Sequence, residues 1–311
     1  MNVEFSNDIS LSPSELSDLD KATLSSHNPS LFRKSVACFE RAATTKLCGL
    51  YLGSQLAAFA WYMPRTWAIN GLEYLGLSIG LFTVIPPFRG NRLGETLLQA
   101  MERHARSIDV DFVYLQGIPN YYNRMGYSGF APKSKFVFKR SSLAGSQGYT
   151  RPLRPSDMVP LIKISEIYRN EIGSFAKRSM LDWQDLVGPF SESFMFYHPR
   201  AIINERSETI GYYCSSPESS AKIREFVSLP CSDMALSAMS IVASELPCTQ
   251  EESLEIFAPI IGPVASLAER KIDADFIRFY RPTSSNMIKW LKSSDHLRCI
   301  EHSFILQGDN L

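Results

Sequence analysis

From Val84 the chain reads Val84-Ile-Pro-Pro-Phe-Arg-Gly-Asn-Arg-Leu-Gly94 and runs on as Glu95-Thr-Leu-Leu-Gln-Ala-Met101. An apolar run, a short stretch of small and basic residues and an amphipathic repeat imply a buried strand, a tight turn and a helix. That order aims the N–H groups of a helix start, and the positive end of its dipole, at one spot. Such a spot suits phosphate, and a pyrophosphate-bearing molecule is the expected occupant. The candidate holders are Arg89, Gly90, Asn91, Arg92, Leu93 and Gly94. G-x-G-x-x-G is absent and no G-K-[ST] follows, so this is neither a dinucleotide fingerprint nor a P-loop. A second group with chemistry lies downstream, in Asn120-Tyr-Tyr-Asn-Arg-Met-Gly-Tyr-Ser-Gly-Phe130. A phenol, with a reference pKa of about 10, can act as a proton donor.

The elements that must position these groups follow from periodicity. Helices are expected within Ser14–Ser25, with Ser12-Pro13-Ser14-Glu15 in capping-box form, and within Ser30–Ala43. Leu47–Leu52 and Leu56–Tyr62 read as strands. Asn70-Gly71 marks a hairpin between Thr66–Ile69 and Leu72–Val84. Leu93, Leu97, Met101 and Ala105 form one helix face. Phe112–Leu115 is a short strand, Ile118–Arg124 a short helix stopped by Gly126, and Lys135–Lys139 a last strand. The expected fold is mixed, α/β or α+β, with a twisted mixed sheet flanked by helices.

A similar order recurs later in the chain. Pro13-Ser-Glu-Leu-Ser-Asp-Leu-Asp-Lys-Ala22 matches Pro155-Ser-Asp-Met-Val-Pro-Leu-Ile-Lys-Ile164. Phe32–Ser35 echoes Phe175–Ser179, and Val84-Ile-Pro86 lines up with Val227-Ser-Leu-Pro230. Two copies of one domain are expected, residues 1–145 and 146–311, joined near Leu143–Gly148. After Pro230 comes Cys-Ser-Asp-Met-Ala-Leu236, with no Arg-Gly and no glycine, so no phosphate nest is expected there. The second copy reads as structural, packing on the first and shaping a pocket. Trp183, Phe194, Phe196 and Tyr197 either line that pocket or fill the second core.

The order strand, V-x-P-x-x-R-G-x-x-hydrophobic-G, helix, strand and Y-x-R-x-G-aromatic resembles the GNAT superfamily of acyl-CoA-dependent N-acyltransferases. The resemblance covers roughly Leu72 to Phe130. The family signature Q/R-x-x-G-x-G/A becomes Arg89-Gly-Asn-Arg-Leu-Gly94, with Arg92 where a glycine is usual. The resemblance implies that acetyl-CoA is the co-substrate and that backbone groups near Phe82 and Val84 meet its pantetheine arm. It implies that Tyr122 is the general acid and that a primary amine of a small molecule or peptide attacks directly. A carboxylate base would be expected on the strand at Gly80, and none stands there. Glu73 reads as a solvated hairpin residue, His104 as a surface helix position and His27 as a loop residue, so the base stays unassigned. A non-catalytic acyl-CoA sensor is the alternative reading. Arg124 and Met125 give the form Y-x-R-[FM]-G-Y, which resembles the enhanced intracellular survival family of aminoglycoside acetyltransferases. Those proteins pair such domains with the active copy first and add a third domain, for which a chain ending at Leu311 leaves no room. Their terminal carboxylate is thought to reach the active site, which makes Leu311 a candidate here. Mycothiol synthase is another tandem member, with its working copy second.

Bulk properties narrow the class further. Lys plus Arg and Asp plus Glu both count 32, so there is no basic footprint for nucleic acid or an anionic membrane. Neither a leader nor an 18-residue apolar run is visible, and a cytoplasmic location is expected. Six scattered cysteines without C-x-x-C spacing imply reduced thiols rather than a disulfide frame or zinc site, and no metal is expected.

Overall fold

The computed structural model describes residues 3–12, 14–15, 19, 45–69, 71–129, 133–143, 145–172, 174–187, 198–216, 219–246, 253–259, 263–264, 278–279 and 285–292. All of Ser30–Ala43 and most of Ser14–Ser25 lie outside these residues, as do His27, Asn70, Phe130, Phe194, Phe196, Tyr197 and Leu311. So do Cys38, Cys248 and Cys299.

Two sheets organise the described residues. The first follows the order β1 (Val3–Ser6), β2 (Lys46–Leu52), β3 (Gln55–Ile69), β4 (Leu72–Val84), β5 (Phe112–Gly117), β15 (Ser285–Trp290) and β6 (Ser128–Gly129). The second follows β14 (Arg278–Phe279), β7 (Lys133–Lys139), β13 (Ser253–Pro259), β12 (Ser219–Ser228), β11 (Thr209–Ser216), β10 (His198–Asn204) and β8 (Gly148–Pro152). Each is antiparallel except for one central parallel pair, β4 with β5 and β12 with β13. The helices that bear on the site are α1 (Leu93–Ser107) and α2 (Pro119–Asn123); α3 (Met158–Ile172), α4 (Met180–Val187) and α5 (Ser232–Glu245) belong to the second half.

Local chemistry explains most elements. The backbone N–H of Ser12 donates to Glu15 Oε2 at 2.8 Å and that of Glu15 to Ser12 Oγ at 3.2 Å, the expected capping box. The hairpin joins Ile69 to Leu72, with Gly71 at φ +80°. Strand β3 runs unbroken through Met63-Pro64-Arg65, where a break was expected after Tyr62. Leu93, Leu97, Met101 and Ala105 are all buried, as the helical repeat requires. Of these, Leu97, Met101 and Ala105 pack with Leu77, Ile79, Val113 and Leu115 of the sheet. Each fully buried Leu or Met there contributes about 1.5–3 kcal/mol of hydrophobic stabilisation.

The halves exchange strands. Lys135–Lys139, expected as the last strand of the first copy, lies in β7, between β13 and β14 of the second sheet. Reciprocally, β15 from the far end of the chain lies between β5 and β6 of the first sheet. The short strand β9 (Ser174–Ala176) also pairs with Trp67–Ile69 of β3. An isolated alternating segment satisfies its ladder equally well in either sheet, so its own sequence does not fix its neighbour.

The contact between the halves is ionic as well. Arg65 of β3 pairs with Asp182 of α4 at 2.7 Å, and Lys177 pairs with Glu73. Arg178 turns the other way, into the second half. It meets both oxygens of Glu225 at 2.9 and 3.0 Å and donates to the Tyr212 hydroxyl at 2.6 Å, and that hydroxyl donates to Glu225. Trp183 packs edge-on against Tyr212 beneath Arg178, so it fills the second core.

Candidate functional site

Strand β4 sets the geometry. On one side it pairs with β5 only from Gly76 to Ile79, opposite Phe112 to Leu115. Beyond Ile79 both strands continue without pairing to each other, so the sheet splits open there. On its other side β4 keeps β3 but bulges: Phe59 opposes Thr83 and Trp61 opposes Gly80, leaving Leu81 and Phe82 across from Ala60. Leu81 adopts φ +45°, a conformation that a leucine enters at a cost. The bulge switches which residues face α1. Leu77 and Ile79 face it before the bulge, and Phe82 and Val84 face it after. Leu81 joins the cluster around Phe59 and Trp61 on the opposite face.

After Val84 the chain turns. Ile85 N–H donates to Ala57 C=O at 2.9 Å, a 3₁₀ turn spans Pro86–Phe88, and Arg89 Nε donates back to the Val84 carbonyl at 3.1 Å. Gly90 lies at φ +84°, and Arg92, the residue before α1, at φ +55°. Where the sequence pattern favours glycine, the backbone is left-handed and carries an arginine instead. That costs about 1–2 kcal/mol. Arg92 is tied by two contacts to Glu95, Nε–Oε2 at 2.9 Å and Nη2–Oε1 at 3.0 Å. This pair sets a cation against the one carboxylate in the first helical turn.

No side chain caps α1. The Arg92 carbonyl accepts from Thr96, and the earlier amides of the turn stand at a helix start with no side-chain acceptor. At Gly94 a Cβ would lie 2.7 Å from Tyr121 Oη, 3.4 Å from the Phe82 ring and 3.5 Å from Val84 Cγ2. Gly94 therefore packs directly against Phe82, Val84 and the Tyr121 hydroxyl at the helix mouth. The glycine allows this close approach, and the uncapped amides of the helix start suit a pyrophosphate-bearing ligand.

The tyrosine turn closes the split from the β5 side. Helix α2 begins at Pro119, and Gly126, at φ +85°, ends the turn as expected. Tyr122 is 7 % exposed. Its ring lies on Gly117, where a Cβ would sit 2.0 Å from Cε2, and edge-on to Phe82 with centroids 6.5 Å apart. It thus bridges the ends of β4 and β5 where they separate. Burial, and secondarily the neighbouring Tyr121, pushes its hydroxyl up to about 12, which keeps the proton on oxygen at neutral pH. The neighbouring Tyr121 turns its hydroxyl to Gly94. Gly117 is a residue that the sequence reading missed; a glycine closing a strand just before Ile-Pro was the available signal.

The candidate bases lie elsewhere. Glu73 is occupied by Lys177. His104 sits on the outer side of α1 against Tyr62 and Asn7, and burial lowers its pKa. Among the described residues no group of three or more His, Cys, Asp or Glu could hold a metal. Cys48, Cys214 and Cys231 are free thiols. No helix among the described residues is long and apolar enough to cross a membrane.

Comparison with known proteins agrees with this geometry. Residues 14–127 match the model of the acetyltransferase (GNAT) family. Over those residues the chain thus resembles a family whose chemistry is acyl transfer from an acyl-CoA. Three solved structures share the fold across both halves. A probable N-acyltransferase from Enterococcus faecalis V583 is 14% identical with a TM-score of 0.65, over 93% of this chain and 73% of that one. Eis1 from Mycobacterium abscessus is 16% identical with a TM-score of 0.57, over 93% and 73%. The N-myristoyltransferase of Saccharomyces cerevisiae, solved with bound myristoyl-CoA, is 8% identical with a TM-score of 0.57, over 92% and 78%. No curated protein matches the chain in sequence.

Proposed function

We propose that the protein is an N-acetyltransferase that moves an acetyl group from acetyl-CoA to a primary amine of a small molecule or peptide. In this reading residues 1–145 supply the catalytic domain, and 146–311 are a degenerate copy that supports it and helps shape the acceptor pocket. The arrangement is of the enhanced intracellular survival type. The observation that carries the reading is the coincidence of three features: the β4/β5 split, the uncapped α1 mouth and the Tyr122 phenol between the two strand ends.

Backbone amides from Gly90 to Gly94 would hold the pyrophosphate, and backbone groups of Phe82 and Val84 the pantetheine arm. Bound acetyl-CoA supplies a thioester, so that transfer breaks a C–S bond and forms a C–N bond to the amine. Tyr122 Oη carries a proton that it can deliver to the leaving sulfur, because its raised pKa keeps it protonated throughout the physiological range. Phe82 and Leu115 border the split with apolar surface that excludes water and strengthens that proton's interaction. No protein carboxylate is assigned to the amine's proton; a neutral amine or a water chain takes that role.

The test combines two measurements. Acetyl-CoA at millimolar concentration should raise the melting temperature, because a ligand that binds only the folded state stabilises it. Free thiol should then appear when amines are added. No melting shift would contradict the proposal, and a shift without thiol release from any amine would favour an acyl-CoA sensor.

A further inference from the structure

Behind the tyrosine turn, groups from three distant parts of the chain meet. Lys289 lies on the exchanged strand β15, opposite Val113 of β5. Its ammonium donates to both carboxylate oxygens of Glu102 on α1, at 2.9 and 2.8 Å, and to the Met125 carbonyl at 2.8 Å. Glu102 is 5 % exposed, and its Oε1 also accepts from the Tyr127 hydroxyl at 3.2 Å. Lys289 Nζ lies 5.6 Å from the centre of the Tyr127 ring, and its Cε would lie 3.5 Å from a Cβ at Gly126. Tyr127 in turn stands edge-on to Tyr122 at 5.9 Å. The Met125 and Tyr127 N–H groups both donate to the Tyr122 carbonyl, at 2.9 and 3.2 Å.

These contacts have a mechanical meaning. Helix α2 is one short turn, too short to hold its shape unaided. The turn that follows it leaves the Met125 carbonyl in want of a donor, and a cation just past a helix C-terminal end is a favoured partner. Lys289 provides that donor from the second half of the chain, and the paired Glu102 keeps the ammonium in place between α1 and the turn. We infer that Lys289 is a positioning residue for Tyr122: it clamps residues 118–127 onto α1, so that the phenol stays in the β4/β5 split. The first site is then incomplete without the strand lent by the second half. The catalytic consequence rests on the acyl-transfer reading, whereas the clamp can be measured without it.

The experiment uses the full chain carrying Lys289→Met, which keeps an apolar stem and removes the donors. Backbone hydrogen exchange and thiol release from acetyl-CoA are both followed, with spermidine, kanamycin and a lysine peptide as amine probes. Exchange over 118–127 should rise about tenfold, roughly the loss of one charge-assisted hydrogen bond, with residues 46–69 unchanged. By the same reasoning kcat should fall about tenfold while KM for acetyl-CoA moves less than about twofold. Lys289→Arg should restore much of both. Because Lys289→Met strands a buried carboxylate, the double variant Lys289→Met with Glu102→Gln removes that charge without restoring the donor to Met125. It should melt near the wild type and still show fast exchange at 118–127. Wild-type exchange there in the double variant, or a rise spread equally over 46–69, would overturn the inference. If the wild type releases no thiol from any probe, the acyl-transfer reading fails, and the exchange data still decide the clamp.

Discussion

The joints β4–α1 and β12–α5 are two versions of the same construction, and they differ in how the helix mouth is satisfied. Both central strands leave a parallel neighbour partway along, at Ile79 and at Ile223. Both bulge there: Leu81 and Phe82 oppose Ala60 in the first, and Arg224 is the extra residue between Ile223 and Glu225 in the second. Past the bulge they diverge. In the first, the chain from Val84 to Leu93 makes a 3₁₀ turn, a left-handed glycine and a left-handed arginine before an uncapped helix. In the second, the passage from Ser228 to Ser232 is shorter, and the Cys231 thiol accepts from the Met234 N–H, capping α5 with its own side chain. The second helix mouth is satisfied from within, and the buried Arg178–Glu225 pair occupies the strand beside it. The bulge and the split recur in both halves and so belong to the fold, whereas the open, uncapped turn is found at the first joint and not at the second.

Mutations on each side of this comparison should behave differently. The largest effect is expected in the second half. Glu225→Gln removes the buried carboxylate that meets Arg178 at 2.9 Å and should destabilise the chain by about 3–5 kcal/mol in urea unfolding. Acetyl-CoA turnover per folded molecule should stay the same, and lost turnover would mean that the second copy takes part in chemistry.

In the first half Tyr122→Phe should lower kcat by about 100- to 1,000-fold with KM for acetyl-CoA little changed. Full activity would remove Tyr122 from the mechanism. The wild-type rate should show no loss attributable to this phenol below about pH 10. With its folded pKa at about 12, above that of a free tyrosine, the stability linked to Tyr122 is full below about pH 10 and is lost as pH rises towards 12.

Gly94→Asp sets a carboxylate at the helix mouth, where its Cβ would also displace the Tyr121 hydroxyl 2.7 Å away, and should weaken acetyl-CoA binding by about 100-fold, roughly 2.7 kcal/mol. Ser232→Asp at the start of α5 should leave binding as it was. Titration calorimetry on both variants measures the contrast. The smallest effect is expected at Arg92→Gly, which relieves the left-handed arginine and loses an exposed pair with Glu95. The net change should be a stabilisation below about 1 kcal/mol with binding retained. A large loss of binding would make the Arg92 side chain a ligand contact in its own right.

What the sequence disclosed was local. The tight turn from Arg89 to Gly94, the buried face of α1, the Ser12–Glu15 box and the stop at Gly126 each depend on neighbours a few residues apart, where propensity and periodicity are informative. The exchange of β7 and β15 did not show, because a strand's alternation fixes which side is buried and says nothing of which strand lies beside it. Leu81 gave no warning of its left-handed backbone, since leucine has no preference for that region. The link from Lys289 to Glu102 spans most of the chain and follows only from the exchange.

The most direct test is a crystal structure of the full chain with coenzyme A. The account predicts pyrophosphate oxygens within hydrogen-bond distance of the backbone amides between Arg89 and Gly94, and the thiol end beside Tyr122. Coenzyme A bound at Cys231–Met234 in front of α5, or absent from the β4/β5 split at saturating concentration, would contradict it.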